Sequence, residues 1–205
     1  AACELLKDSG GKTVEQLQLT SQAWYEQHGI ELYLSEKVVQ IDRPAACVRM
    51  ASNHSIEYDT LVLATGSAPF VPSIPGTDRK GVFVYRTVAD LKAIEAYAQG
   101  KKSAAVLGGG LLGLEAAKAL VDLGLETHVV EFSDRLMPRQ IDHTASRFLE
   151  AEIQKLKVKI HLSRRTQAIL GNGSVQGLAF ETSESLPVDM IVISRLCLSL
   201  YQVGG

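Results

Sequence analysis

Three adjacent glycines, Gly108, Gly109 and Gly110, stand between an apolar run and an alanine-rich segment in "SAAVLGGGLLGLEAAKAL". With Gly113 they satisfy G-x-G-x-x-G, in which the first glycine permits a tight turn, the second lets a pyrophosphate approach the backbone, and the third lets a helix pack closely on a strand. The backbone amides of Gly109, Gly110, Leu111 and Leu112 would then face the phosphates at a helix N-terminus carrying roughly half a positive charge. The spacing gains weight from Glu131, roughly 20 residues further on, which follows "ETHVV" and can accept hydrogen bonds from an adenosine ribose diol. A carboxylate there repels a 2′-phosphate, so NADH is expected in preference to NADPH unless Arg135 or Arg139 swings in to compensate. Read from the residues alone, a simple glycine turn with an acid capping a strand stays open as the alternative.

The elements that must position these groups follow from periodicity. "SAAVL" reads as a short buried strand, "LLGLEAAKALVDL" as a helix ended by Gly124, "ETHVVEF" as a second strand and "DHTASRFLEAEIQKL" as a second helix with Asp142 as its N-cap. Thr87 is the expected N-cap of "VADLKAIEAYAQ", whose Val88, Leu91, Ile94 and Ala98 recur at helical spacing before Gly100. "TQAILGNGSVQGLAF" reads as a hairpin and "VDMIVIS" as one more buried strand. Alternation of strand and helix predicts an α/β fold, a Rossmann-like domain with a parallel sheet plus a β-hairpin or meander. Upstream, Val39–Ile41, a turn at Ser52–Asn53 and the apolar run Leu61–Leu63 read as sheet. Pro69, Pro72, Pro75 and Gly76 then predict an extended connection without regular structure.

Composition narrows the partners. The chain has 205 residues, 46% hydrophobic and 21% charged, with a net charge of −2. No single-sign run marks a nucleic-acid footprint or a polybasic membrane patch, and no apolar run reaches the roughly 20 residues of a membrane span. Small molecules are therefore the expected partners, dinucleotides by the glycine motif, and a cytoplasmic location is expected. Cys3, Cys47 and Cys197 stand apart without a Cys-x-x-Cys pair, which argues against a metal or redox-cysteine site. His28, His54, His128, His143 and His161 show no spacing that groups them. Trp24 and Tyr25, after Leu17 and Leu19, read as packing residues. Glu115, Lys118 and Asp122 fall three and four apart, so Glu115 can belong to a solvated charged stripe.

"YDTLVLATGSAPFVPSIPG", "VYRTVADLKAI" and "VLGGGLLGLEAAKALVDLGLETHVVEFSDRLMP" resemble the pyridine nucleotide-disulfide oxidoreductase superfamily of flavoproteins. Within it, "AWYEQHGIELYLSEKVVQIDR" and "VVEFSDRLMPRQID" are most similar to the flavin-containing N-terminal part of NAD(P)H-dependent nitrite reductase large subunits; rubredoxin and ferredoxin reductases are similar here too, and a reductase for a small electron carrier or an NADH oxidase is the competing enzyme reading. The resemblance implies hydride transfer from NAD(P)H to FAD and onward to an electron acceptor domain or protein, with a homodimer possible. It divides the chain into a partial FAD-binding domain (1–98), an NAD(P)-binding domain (99–195) and an atypical tail (196–205). Ala64, Thr65 and Gly66 match a segment beside FAD, and Glu115 matches a glutamate near the nicotinamide. Two departures stand out. No G-x-G-x-x-G for the FAD pyrophosphate precedes residue 60, and after "VDMIVIS" the sequence reads "SRLCLSLYQVGG", like a shifted reading frame or an artefact, to which no function is assigned. The iron–sulfur and sirohaem segments of the parent have no counterpart, so a non-catalytic nucleotide-binding module or an inactive fragment is the reading from another class.

Overall fold

A computed structural model describes residues 20–69, 71–194 and 197–199. The chain separates into two compact units divided between Gly66 and Ser67.

In the first unit a short helix α1 (Gln22–Gln27) precedes three strands, β1 (Val38–Asp42), β2 (Cys47–Met50) and β3 (Ser55–Glu57), joined as an antiparallel meander. Asn53 takes φ 67° in the turn between β2 and β3, the place the sequence assigned to a turn. Val48 and Met50 of β2 are buried. The run Leu61–Leu63, expected as sheet, forms no strand, and Val62 is 81% exposed. An apolar run becomes a strand only where neighbouring chain satisfies its N–H and C=O groups, and no described strand lies beside this one. Trp24 is likewise 42% exposed in a helix that buries no residue; its ring stacks on His28 and meets Tyr25 edge-on instead of entering a core. Leu17 and Leu19 lie outside the described residues.

The second unit runs β4 (Ser67–Pro69), β5 (Val82–Val84), α2 (Val88–Ala98), β6 (Ser103–Leu107), α3 (Leu111–Asp122), β7 (Glu126–Val130), α4 (His143–Lys155), β8 (Val158–His161), β9 (Thr166–Leu170), β10 (Gly177–Phe180), β11 (Ser185–Leu186), β12 (Met190–Ile193) and β13 (Cys197–Ser199). Its centre is a five-stranded parallel sheet in the order β5-β12-β6-β7-β8, accompanied by the antiparallel meander β9–β11. Successive residues of a strand point to opposite faces, and both faces are used. Ala104, Val106, Val129, Met190 and Val192 pack with Leu91 and Ile94 of α2 and Leu114 and Leu120 of α3. Their neighbours Ala105, Leu107, Val130, Ile191 and Ile193 pack with Ile169, Leu178 and Phe180 of the meander. The result is a helix, sheet and meander sandwich.

The caps fall where the sequence placed them. Thr87 and Asp90 form a capping box at α2, and Asp142 accepts from the Ala145 N–H at 2.8 Å to start α4. Residues 82–98, grouped by sequence with the first region, are built into this sheet: β5 pairs with β12, and α2 buries Leu91, Ile94 and Ala98 in the core it shares with β6. The proline-rich connection is not wholly irregular, because Ser67–Pro69 pairs antiparallel with Cys197–Ser199 of the tail in a two-stranded ribbon. Such an edge tolerates a proline that has no N–H to donate. Residues 195, 196 and 200–205 of the tail lie outside the described residues. Among the described residues no helix is long and apolar enough to cross a membrane.

One pair escaped the sequence reading. His128 and His161, on adjacent strands β7 and β8, approach to 3.0 Å between Nδ1 and Nε2, while His128 Nε2 lies 3.1 Å from Glu126, itself bonded to Lys159. Burial holds the His128 imidazole below its ordinary pKa against the pull of Glu126; burial and then the neighbouring His128, Arg164 and Lys159 hold His161 down too. Among the described residues, no three His, Cys, Asp or Glu side chains are grouped to hold a metal ion. Because both pKa values are depressed on folding, the unfolded chain binds more protons near pH 6; the stability this pair contributes is complete above about pH 6.5 and is lost as pH falls below it. The melting temperature is therefore expected to fall between pH 7.5 and 5.5, and to fall less in His161→Gln. Equal slopes in the two proteins would remove the pair as the cause.

Candidate functional site

The site lies at the carboxyl ends of β6 and β7, where an open parallel sheet leaves a crevice beside the point at which its strand order reverses. The chain leaves β6 through Gly108, at φ 121°, and enters α3 with Gly110 as N-cap. Gly110 contributes no side-chain hydrogen bond to the first turn, whose N–H groups have no partner within the helix. The Leu111 and Leu112 side chains of this turn are 59% and 44% exposed. A Cβ on Gly110 would meet nothing within 4 Å, so the space in front of the helix is open. Gly113 has the opposite surroundings: a Cβ there would lie 1.9 Å from the Gly108 carbonyl oxygen. Its absence allows α3 to start directly against β6.

Glu131 continues from β7 and is buried at 5% exposure. Its carboxylate accepts from the Gly109 N–H at 2.6 Å through Oε2 and from the Ser133 N–H at 2.9 Å through Oε1. Two backbone dipoles therefore hold a buried anion that no Lys or Arg among the described residues pairs with, and they fix its orientation. Gly109, expected among the phosphate-facing amides, is turned to this carboxylate instead. The lone pairs that Glu131 has left are the acceptors available to a diol.

A cleft of about 350 Å³ opens beside these ends, lined by Leu107, Gly108, Val130, Glu131 and Phe132 together with Arg164 and Thr166 from the chain after β8. Arg164 is anchored through its own N–H, which donates to the Glu131 carbonyl at 3.0 Å, and its guanidinium pairs with Glu184 at 2.9 Å.

The remaining candidates are placed differently. Arg135 is folded onto its own loop, donating to Asp134 at 3.2 Å and to the Pro138 carbonyl at 3.1 Å, with His143 at 3.0 Å. In α3 Lys118 pairs with Asp122, which leaves Glu115 half-buried with no hydrogen bond to another described residue. The expected charged stripe is thus a pair plus one unspent carboxylate. Ala64, Thr65 and Gly66 form an exposed loop at the end of the first unit, with Gly66 at φ 69°. Leu136, which sequence reasoning passed over, is fully buried against the glycine loop; its signal was an apolar residue kept inside a polar connection, "SDRLMP".

Comparison with known proteins follows the same lines. The family profile described as pyridine nucleotide-disulphide oxidoreductase matches residues 5–195. The large subunit of NAD(P)H nitrite reductase from Klebsiella oxytoca is 50% identical over 184 residues, which cover 90% of this chain and 19% of that one. The assimilatory nitrate reductase electron transfer subunit of Bacillus subtilis (strain 168) is 39% identical over 185 residues, 90% of this chain and 24% of its own. Among solved structures, a ferredoxin reductase from Rhodopseudomonas palustris superposes with a TM-score of 0.89 at 28% identity, over 96% of this chain and 48% of that one. The chain thus spans about a fifth to a quarter of these two curated relatives.

Gly113→Ala is expected to destabilise the fold by about 1–3 kcal/mol, since the carbonyl it meets belongs to the backbone and the helix must retreat from the strand. Urea denaturation followed by circular dichroism measures it; a midpoint equal to that of the unchanged chain would show that α3 does not sit as described.

Proposed function

From the premise that the chain belongs to the pyridine nucleotide-disulphide oxidoreductase family, we propose that it is the pyridine-nucleotide-binding part of a flavin-dependent oxidoreductase, in the parent enzyme one that reduces nitrite in nitrate assimilation. The observation that carries this reading is the pairing of free first-turn amides at α3 with the buried Glu131 carboxylate beside them. The amides of Gly110, Leu111 and Leu112 bind the pyrophosphate, and Glu131 accepts hydrogen bonds from the adenosine ribose. NADH is favoured. The Glu131 carboxylate is held by two backbone N–H groups, Arg135 is engaged by Asp134, His143 and Pro138, and the cleft's Arg164 is paired with Glu184, so a 2′-phosphate beside Glu131 would meet a like charge with these two arginines already engaged.

Bound NADH supplies a hydride; the protein's part is to hold its ring and keep the geometry. Glu115 is the residue we assign to positioning the nicotinamide, supported by its place one turn into α3 and by a carboxylate free of other bonds. For flavin the fit differs. The one described stretch matched to it, Ala64–Gly66, is an exposed loop without regular structure. That observation favours a second reading, in which this chain by itself binds dinucleotide without turning it over. The electrons' recipient is an acceptor domain or protein, the reaction belongs in the cytoplasm, and homodimerisation is part of the same proposal.

Calorimetric titration with NADH tests the assignment. Micromolar binding is expected for the unchanged chain, with NADPH weaker by about tenfold or more. Gly110→Val should abolish binding while melting within a few degrees of the parent, because its side chain enters open space that only a ligand would use. Retained affinity in that variant would remove the phosphate site from α3. Flavin absorbance of the purified chain separates the two readings: yellow protein bleached by NADH indicates turnover, colourless protein that binds NADH indicates the module.

A further inference from the structure

G-x-G-x-x-G leaves the second of the three adjacent glycines unspecified, yet Gly109 is engaged on every side by one short segment. Its N–H donates to Glu131 Oε2 at 2.6 Å and its carbonyl accepts from the Met137 N–H at 2.9 Å. Where a Cβ would project, Leu136 Cδ2 stands at 2.7 Å and the Glu131 Cβ and Cγ at 3.1 and 3.3 Å. Leu136 has no exposed surface, so its methyl cannot swing into solvent to make room.

The segment is itself held. Met137 sits at φ 48°, in the left-handed region that a non-glycine residue rarely adopts, and this conformation accompanies the donation of its N–H to Gly109. Its carbonyl accepts from Gln140 and Ile141 at 3.0 and 3.2 Å, and Arg135 bonds to Asp134 and to the Pro138 carbonyl around it.

We propose that Gly109 and Leu136 are a positioning pair: residues 131–137 clamp the glycine loop so that the phosphate-binding amides and the ribose carboxylate form one rigid body. The inference rests on the dinucleotide reading above and adds to it the element that sets the distance between the two half-sites. Gly109 binds no phosphate. Its lack of a side chain admits Leu136, and Leu136 fixes the loop from which Gly110, Leu111 and Leu112 present their amides. Affinity then depends on a buried leucine that touches no ligand, through ordering done before binding.

The test is a cycle of Gly109→Ala, Leu136→Val and the double variant in the full chain, read by NADH calorimetry and by amide hydrogen exchange without nucleotide. Gly109→Ala is expected to weaken NADH about tenfold or more, because the added methyl displaces the loop. It should also speed exchange at the Met137 amide by about tenfold. Valine lacks the δ-methyl that the alanine meets, so the double variant should regain affinity to within about threefold of the parent and slow the Met137 amide again. A merely structural role would make the two changes add. A double variant as weak as Gly109→Ala, or a Gly109→Ala that binds NADH like the parent, overturns the clamp. If the exchange pattern moves as described while the unchanged chain binds no NADH, the clamp stands and the dinucleotide reading falls.

Discussion

Helix α3 lies where it does because position 113 has no side chain, which lets its first turn close on the carbonyl of Gly108, the residue just after β6. This approach of two backbones fixes where the helix begins, and so where its unpaired amides are presented. A single methyl group at that point would push the helix outward and carry the amides with it. The apolar face of α3, with Leu114, Ala116, Ala117 and Leu120, then seals against Val106 and Val129. Gly113, Ala116, Ala117 and Ala119 make up most of the buried residues of the helix, and their small size suits a helix held this close to the sheet.

The sheet turns this local contact into a site. Parallel pairing aligns Leu107 of β6 with Val130 of β7, so Gly108 and Glu131 leave adjacent strands side by side, and the Gly108 N–H still reaches the Val130 carbonyl at 2.9 Å. Register therefore fixes the place of the carboxylate. Burying an anion at that place is costly unless it is hydrogen-bonded, and the two N–H groups of Gly109 and Ser133 meet the need. At the opposite end of the sheet the half-buried Asp189 accepts from the Lys102 and Ser103 N–H groups at 2.8 and 3.0 Å, and these bonds hold its carboxyl below its ordinary pKa.

Much of this was legible in the sequence, for reasons that can be named. Strands of Ala, Val, Leu and Ile buried on both faces, helices capped by Thr87 and Asp142, and glycines at 108 and 113 are signals carried by neighbours along the chain, and each appears in place. What the sequence hid depends on residues far apart meeting. His128 and His161 are brought together only by β7–β8 pairing, and β5 joins β12 across the whole unit. Leu61–Leu63 failed in the other direction: its composition suits a strand, but strand formation is a property of a pair. The turn of the Gly109 amide toward Glu131 was equally invisible, since the spacing that identifies a phosphate loop does not say which of its amides point outward.

The distribution of exposed apolar surface adds a last step. Leu111 and Leu112 on the opening turn of α3 and Phe132 just beyond Glu131 are 59%, 44% and 53% exposed, while the sheet residues behind them are almost completely buried. Scattered singly such residues mean little, but these three border the same carboxyl edge as the free amides and the carboxylate. Ligand sites combine predominantly apolar walls with a few placed polar groups, and this edge has that composition. The apolar side chains can cover part of a bound nucleotide and thin the water around it. On the dinucleotide reading proposed above, electrostatic discrimination by Glu131 would grow as that water is removed. In that reading the exposed leucines and phenylalanine complete what the glycines begin: the backbone would supply the hydrogen bonds, and the rim the medium in which they count.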